Sequence, residues 1–155
     1  ITRIRQSIPE CGIGVDVIVG FPGETEKHFQ TTLHYIDELP VSYLHVFTYS
    51  ERSNTPASAF IGKLEPKIRF KRNEILRAIG MKKKHDFYRN HIGRTVQVLV
   101  ESDIDGDLRF GFTDNYVRVG LPAASVNPNE IVSVAISGIQ RDKCVGTIVG
   151  GKVAA

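Results

Sequence analysis

Two glycines stand where a buried strand is expected to end. Residues 14–21 are almost continuously apolar and rich in β-branched side chains, which is typical of a strand covered on both faces. Because glycine has no side chain, a flat ring or a ribose can come close to the backbone at Gly20 and Gly23. The same glycines would also suit a plain turn between a strand and a helix. Residues 16–24 therefore predict either a ligand-binding turn or a structural one.

Nucleic-acid binding is the second chemistry that the residue types suggest. Residues 66–90 hold nine basic and two acidic side chains, in a chain whose net charge is +3. Basic side chains neutralise phosphates and aromatic rings stack on unpaired bases. The basic candidates are Arg77, Lys82, Lys83, Lys84, Arg94, Arg109 and Arg118, and the aromatic ones are Phe110, Phe112 and Tyr116. The competing interpretations are a solvated helix face and, for several of the rings, a place in a barrel core.

Other kinds of site find little support in the spacing. Residues 103–114 resemble a calcium loop, but Leu108 stands where that loop needs glycine. The pair Gly12 and Gly14 precedes the strand, so it is not a dinucleotide-binding fingerprint. Two cysteines are too few for a disulfide framework or a multi-cysteine metal site. The scattered histidines and serines form no recognisable metal pair or catalytic triad.

The strand–turn segment belongs to a predicted strand–helix–strand unit. A helix follows from residue 24 to 39, with apolar residues three or four apart, and a second strand covers residues 43–49. This order predicts two parallel strands. Thr25 is followed three residues later by histidine instead of Glu or Gln, so we expect no capping box. The loop at residues 51–56 leaves the carboxyl end of the second strand, the edge where such sheets bind ligands.

The second half of the chain changes from helical to strand patterns. Residues 66–90 predict a helix in which Gly80 allows a bend or a break. From residue 92 onward about five short strands follow, and Asp105 with Gly106 marks a hairpin. That number of strands in ~60 residues predicts a small barrel.

Length and composition are those of a folded protein. The chain has 155 residues, 41% hydrophobic and 24% charged, which excludes disordered and collagen-like classes. No apolar run reaches the ~20 residues that span a bilayer, so we expect no membrane partner and a cytoplasmic location. Because the chain starts with Ile1 and its single methionine is Met81, we expect a section of a longer protein.

Several sequence runs resemble a known family. Residues 17–26 (VIVGFPGETE), 43–47 (YLHVF), 49–52 (YSER) and 55–57 (TPA) resemble the C-terminal half of radical S-adenosylmethionine (SAM) methylthiotransferases. Residues 92–149 contain IGRT, VLVE and NYVRV, and they look like the RNA-binding TRAM domain that ends those enzymes. One departure is Ser53 followed by Asn54, where the family commonly has a glycine in second place.

The resemblance implies a fold of α/β plus all-β type. Residues 1–60 would be the C-terminal portion of a partial parallel (βα) barrel, residues 61–90 a basic connector helix, and residues 91–155 a small five-stranded, OB-like TRAM barrel.

The resemblance also implies a SAM site, with its residues at the ends of the two predicted strands. They are Ile18, Gly20, Gly23, Glu24, Val46, Phe47, Tyr49 and Ser50. The [4Fe-4S] clusters of the full-length enzyme would need cysteines spaced CxxxCxxC, which this chain lacks. The chain would therefore orient the reactants without catalysing the reaction by itself. The resemblance implies no catalytic residue within it.

The implied partner is tRNA, held by the basic connector and the barrel. The RNA-binding candidates are Arg77, Lys82, Lys83, Lys84, Arg94, Arg109, Tyr116 and Arg118. The Leu44-His45-Val46-Phe47 phrase is most similar to the branch that methylthiolates threonylcarbamoyladenosine beside the anticodon, and we expect the full-length enzyme to be a monomer. The alternatives are a methylthiotransferase that acts on a ribosomal protein and an RNA-binding module without catalysis.

Overall fold

The computed structural model describes residues 1–154, which divide into two compact units. The first unit contains Ile1–Pro9 and Ile13–Lys84, and the second contains Glu10–Gly12 and the chain from His85 onward. Within residues 1–154, no helix combines the length and the apolar character that a membrane span requires.

The first unit is built on two parallel strands joined by a helix, as the sequence predicts. It starts with helix α1 (Thr2–Ser7), followed by β1 (Gly14–Val19), α2 (Glu26–Glu38) and β2 (Tyr43–Thr48). The strands pair from Gly14↔Tyr43 to Val19↔Thr48. In the described part of the chain this sheet has two strands, and the expected partial (βα) barrel is not seen among them.

One face of the sheet forms the core of this unit. Alternate residues of β1 and β2 pack against α2 and the following helix, with Val19, Phe29 and Leu76 almost fully buried. The expectation that α2 has no capping box is wrong: Thr25 Oγ1 accepts the His28 N–H, and the Thr25 N–H donates to His28 Nδ1. An imidazole nitrogen accepts the hydrogen bond that a Glu or Gln side chain usually takes.

A short 3₁₀ helix (Pro56–Ala59) leads to α3 (Pro66–Arg89), which crosses from the first unit into the second. The break that Gly80 would allow does not occur, because α3 is one continuous helix of 24 residues. A Cβ at Gly80 would lie 3.1 Å from Cβ of Leu44. The glycine thus allows the helix to pack closely on β2.

The second unit is a closed five-stranded barrel. Its strands are β3 (Thr95–Asp105), β4 (Leu108–Phe112), β5 (Arg118–Pro122), β6 (Glu130–Gln140) and β7 (Lys143–Ala154), with a 3₁₀ turn at Ala123–Ser125. They are ordered β3-β4-β5-β7-β6 around the barrel, and β6 pairs back with β3. All pairs are antiparallel except β5 with β7. This is the strand order of OB-type barrels.

The interior of the barrel is aliphatic. Its buried residues are mainly valines, which pack together with Phe87 and Tyr88 of α3. Gly111 pairs with the buried Val119, so its neighbours Phe110 and Phe112 point to the outer face. The expectation that several of these rings help to form the barrel core holds for the burial of Phe110 but not for its position, which lies outside the interior cluster. Phe110 is buried all the same, because basic side chains cover it.

Candidate functional site

The turn after β1 is fixed by proline and glycine. Phe21, Pro22, Gly23 and Glu24 form a β-turn in which the Glu24 N–H donates to the Phe21 carbonyl oxygen at 2.9 Å. Gly23 has a φ of 82°, a conformation that a type II turn requires at its third residue and that glycine adopts without strain. A Cβ at Gly23 would meet no atom within 4 Å, so its backbone is open on that side.

Gly20 is enclosed where Gly23 is open. A Cβ at Gly20 would lie 2.3 Å from Cγ of Arg69, so the stem of that arginine fills the space beside the glycine. The Arg69 guanidinium donates to the Tyr49 carbonyl oxygen at 2.9 Å. Arg69 therefore links the ends of both strands. In the part of the chain that the structure describes, its Nε has no hydrogen-bond partner.

The Glu24 carboxylate is held inside the turn. One oxygen accepts the Gly20 N–H at 2.9 Å, and the other lies 2.5 Å from Nη1 of Arg72. Arg72 is buried over the Phe29 ring and also donates to the backbone oxygen of Glu24 and to Glu26. Both carboxylate oxygens thus have partners within the protein. What Glu24 does here is to fix the Gly20 end of the strand.

Arg72 also affects the neighbouring carboxylate at the start of α2. Hydrogen bonds from Gln30 and then from Arg72 hold the pKa of Glu26 below its ordinary value. Sequence analysis missed Arg72, although it carried a signal: the residue occupies an apolar position of α3, one turn before the buried Leu76.

The other face of the two-stranded sheet is exposed and apolar. Ile18 and Phe47 are register partners, with 61% and 52% of their surfaces exposed. Tyr49 continues this face beyond the end of β2, whereas Gly20 is buried and faces the stem of Arg69. Val46 points the opposite way, into the core, and its carbonyl oxygen accepts a hydrogen bond from Asn73. Three of the eight expected cofactor residues, Ile18, Phe47 and Tyr49, therefore share one face.

Three aromatic rings meet at the ends of the strands. The Phe21 ring lies edge-on to Tyr49, at 5.1 Å between centroids, and to Phe60, at 5.9 Å. The Gly23 N–H donates to the Gly62 carbonyl oxygen. This bond joins the turn after β1 to the loop that follows the 3₁₀ helix. The Tyr49 hydroxyl is buried without a partner among the described residues, while Ser50 is exposed. The structure thus brings Gly20, Gly23 and Tyr49 together at one edge.

The basic side chains of α3 differ in their surroundings. Lys83 extends its ammonium to the last turn of α2, where it donates to the carbonyl oxygens of Asp37 and Leu39 at 2.8 Å each. This contact satisfies carbonyls that a helix C-terminus leaves unpaired. Arg77 and Lys82 are exposed and Lys84 is half-buried. Nothing in the local sequence could have revealed the Lys83 contact, since its partners lie more than 40 residues away.

A basic and aromatic strip runs along the outer face of the barrel. Arg118 lies over two rings, with Cζ 5.0 Å from the centroid of Phe110 and 5.6 Å from that of Phe112. Lys143 Nζ lies 4.9 Å from the Phe110 centroid. Arg118 also forms an ion pair with Asp103. Lys143 was missed from the sequence because only barrel closure places β7 beside β5.

A cavity of about 380 Å³ adjoins this strip between two hairpins. It is lined by the β3–β4 turn, the β6–β7 turn and the ring of Phe110. Asp105 and Asp107 contribute negative charge, whereas Arg141 and Lys143 contribute positive charge. In OB-type barrels these two loops flank the surface that binds oligonucleotides.

The side chains of the remaining basic candidates contact other groups of the protein. Arg94 forms an ion pair with Glu10, and Arg109 lies 3.5 Å from the carbonyl oxygens of Glu101 and Ser102. Tyr116 instead points outward, with 67% of its surface exposed. It has the positive φ of 65° that bulky residues rarely adopt.

In the described part of the chain, the cysteines and other metal-binding side chains form no cluster. Among residues 1–154, no group of three or more His, Cys, Asp or Glu side chains could hold a metal ion. Cys144 lies inside the barrel, where burial raises the pKa of its thiol to about 11. A thiol held protonated in this way is a poor metal ligand.

Comparisons with known proteins agree with the resemblance in the sequence. No protein-family profile matches the chain. A threonylcarbamoyladenosine tRNA methylthiotransferase of Rickettsia prowazekii is 39% identical over 77% of this chain and 27% of its own length. Its namesake from Aquifex aeolicus is 41% identical over 75% of this chain and 27% of its own.

A second group of relatives carries a different name. The tRNA-2-methylthio-N(6)-dimethylallyladenosine synthase of Thermus thermophilus is 32% identical over the whole of this chain and 34% of its own length. The chain thus spans about a quarter to a third of the curated relatives that it matches. Identity at this level across most or all of the residues shows that the chain is homologous to one section of tRNA methylthiotransferases.

Proposed function

We propose that this chain is the SAM- and RNA-binding section of an enzyme that transfers a methylthio group to an adenosine of tRNA. The first unit would be the last part of a partial (βα) barrel, and the second would be a TRAM domain. The exposed Ile18–Phe47 face, which ends at Tyr49, is the observation that carries the enzymatic part. An apolar face left open at the carboxyl ends of parallel strands suits a cofactor and its substrate.

The residues at this edge fit the adenosine part of SAM. Ile18 and Phe47 offer apolar surface to a flat base, the Gly23 backbone is open, and the buried Tyr49 hydroxyl lacks a partner among the described residues. Glu24 and Arg69 would act indirectly, by fixing the strand ends. When bound, SAM would supply the radical and methyl chemistry, while these side chains bind it, orient it and exclude water.

The described residues do not fit an iron–sulfur cluster. Such clusters are held by several cysteine thiolates, and the two cysteines here include the buried, protonated Cys144. We therefore assign the cluster ligands of the proposed enzyme to the part of its length that lies outside this chain. No reaction step is assigned to Cys11 or Cys144.

The substrate proposed is N6-threonylcarbamoyladenosine beside the tRNA anticodon. It is supported by the names of the Rickettsia and Aquifex relatives and by the Leu44–Phe47 phrase. The outer strip of the barrel, with Arg118 and Lys143 beside aromatic rings, supports RNA as the partner. Phosphate contacts of this kind would position the tRNA, and base choice would come from the active site.

The test is the modification state of tRNA in cells. Nucleosides from a strain that lacks the whole gene should have lost the methylthio group on threonylcarbamoyladenosine by mass spectrometry, and the full-length gene should restore it. A full-length Phe47→Ala variant should restore less, while the exposed Lys27→Ala variant on α2 should restore as much as the wild type. If the deletion strain keeps the wild-type pattern of tRNA modification but lacks the methylthio group on a ribosomal protein, the rival enzyme is supported.

A second candidate is an RNA-binding module without catalysis, which the lack of a cluster site among the described residues favours. Full-length protein that binds tRNA, contains no iron and leaves both tRNA and ribosomal proteins unchanged on deletion would establish it. Iron in the purified full-length protein would argue for the enzyme.

A further inference from the structure

We propose that a cavity on the outer surface of the barrel binds one unpaired nucleobase that carries an exocyclic amino group. This inference rests on the proposed RNA binding and names the ligand of one site within it. The cavity measures about 480 Å³, within the size range of small-ligand sites. It is lined by Gln97, Leu99, Glu101, Phe112, Thr113, Asp114, Tyr116 and Ile131.

The floor of this cavity is apolar and faces outward. Leu99 is the register partner of Phe112 on one side and of Ile131 on the other, so the three side chains form a row across the barrel. Leu99 keeps 45% of its surface exposed. Its neighbours Val98 and Val100 are fully buried in the interior, so Leu99 contributes surface rather than core.

Tyr116 forms a wall above this floor. Its ring lies 6.3 Å from that of Phe112, at 58° between the planes. The left-handed backbone of Tyr116 is unfavourable for a bulky side chain and persists only where the surroundings impose it. Such strain concentrates at ligand sites, and here it presents an aromatic ring to solvent. A base that enters can stack on this ring.

The turn that carries Tyr116 is held rigidly from beneath. The Thr113 N–H donates to the Val117 carbonyl oxygen, and the Thr113 carbonyl oxygen accepts the Tyr116 N–H. The Thr113 hydroxyl donates to Asn115 Oδ1 and accepts the Val117 N–H. The Asn115 amide nitrogen lies 3.0 Å from Nε2 of the buried His91, whose Nδ1 contacts the Phe87 carbonyl oxygen. A site formed in advance loses little conformational entropy when it binds.

The polar groups at the rim select the chemistry of the ligand. Glu101 and Asp114 supply carboxylates, and no residue that lines the cavity is Lys or Arg. A phosphate would therefore be repelled, whereas an amino group on cytosine, adenine or guanine could donate to a carboxylate. Uracil has no such group. Arg118, over the Phe112 ring outside the cavity, provides positive charge for the attached backbone.

The proposal is tested with oligo(C) and oligo(U) RNA of about 12 nucleotides, a length that suits one such barrel. Binding to the full chain is followed by fluorescence anisotropy at several salt concentrations. Wild type should bind oligo(C) more tightly than oligo(U). Tyr116→Gly, which removes the ring and suits the positive φ, should weaken oligo(C) binding roughly 5- to 150-fold without changing the salt slope. Tyr116→Phe keeps the ring and should bind like wild type.

A charge variant gives an independent signature. The double variant Glu101→Ala and Asp114→Ala should bind oligo(U) at least as tightly as the wild type, because it removes negative charge, yet lose the preference for oligo(C). The matched control Asp107→Ala removes an acid from the other cavity and should keep the preference.

The outcomes separate the two proposals. If neither oligonucleotide nor tRNA binds, the proposed RNA binding fails and this inference fails with it. If RNA binds with a steep salt dependence but Tyr116→Gly binds equally well, RNA binding stands and the base site is overturned. Equal affinity of the wild type for oligo(C) and oligo(U) would overturn the amino-group assignment.

Discussion

The two units treat their sheets in opposite ways. In the second unit the strands close on themselves, and the side chains of one face are buried as a continuous aliphatic core. In the first unit, β1 and β2 bury one face under helices and leave Ile18 and Phe47 exposed on the other. Apolar surface that no part of a unit covers commonly marks a binding site. The comparison separates apolar residues that stabilise their own unit from exposed apolar residues that are available to contact a ligand or further chain.

The largest expected difference lies between a barrel core residue and its exposed counterpart. Leu121→Ala should lower the free energy of unfolding by ~2–5 kcal/mol, because Leu121 is fully buried and its truncation leaves a cavity. Ile18→Ala should change it by less than ~0.5 kcal/mol, since Ile18 is mostly exposed. Urea denaturation checks both values. A large loss from Ile18→Ala would mean that this face is a stabilising contact rather than an open site.

An intermediate effect is expected from the lysines of α3. Lys83→Gln should cost about 1 kcal/mol, the usual worth of a helix-end hydrogen bond, whereas Lys82→Gln on the exposed side should cost almost nothing. Thermal unfolding measures this difference. In salt-dependent RNA binding, replacing all three lysines should lower the slope by up to ~2 units rather than 3, because Lys83 is engaged with α2. A slope change of 3 units would show that Lys83 leaves α2 when RNA binds.

The smallest effect is a pH dependence confined to the barrel. Burial raises the pKa of Cys144 from 9.0 to about 11 and also raises that of Tyr88. Between pH 9 and 11 the unfolded thiol has lost its proton while the folded one retains it, so stability should fall as pH rises. Denaturation at pH 8 and pH 10 measures the change, and Cys144→Ala should reduce it. Stability that stays level over this range in the wild type would contradict the burial of these groups.

The sequence was a good guide where local chemistry decides the structure. The βαβ unit follows from apolar runs separated by Pro and Gly, and the type II turn at residues 21–24 follows from Pro22 and Gly23. Contacts set by the tertiary fold were beyond it. Whether Phe110 points inward depends on its pairing with Gly120, which strand alternation alone cannot supply.

The candidate site shows the same division. Gly20, Gly23 and Tyr49 were expected at one edge because parallel strands end together. The enclosing arginines, Arg69 and Arg72, come from a helix that begins after a long loop. The spacing of Arg72 to Leu76 marks the buried side of that helix, but it does not reveal that this side meets the turn after β1. Tyr116 was identified by its residue type, while its strained backbone became visible only in the folded turn.

The barrel is joined unevenly around its circumference. Strands β6 and β7 share a long ladder, but β5 meets β7 through two residue pairs, Val119↔Cys144 and Gly120↔Val145. Local fluctuations start where the fewest hydrogen bonds must break, so we expect the barrel to open locally between β5 and β7. Cys144 is one of the paired residues between these strands, so the rate at which an alkylating reagent modifies its thiol would report the rate of that opening.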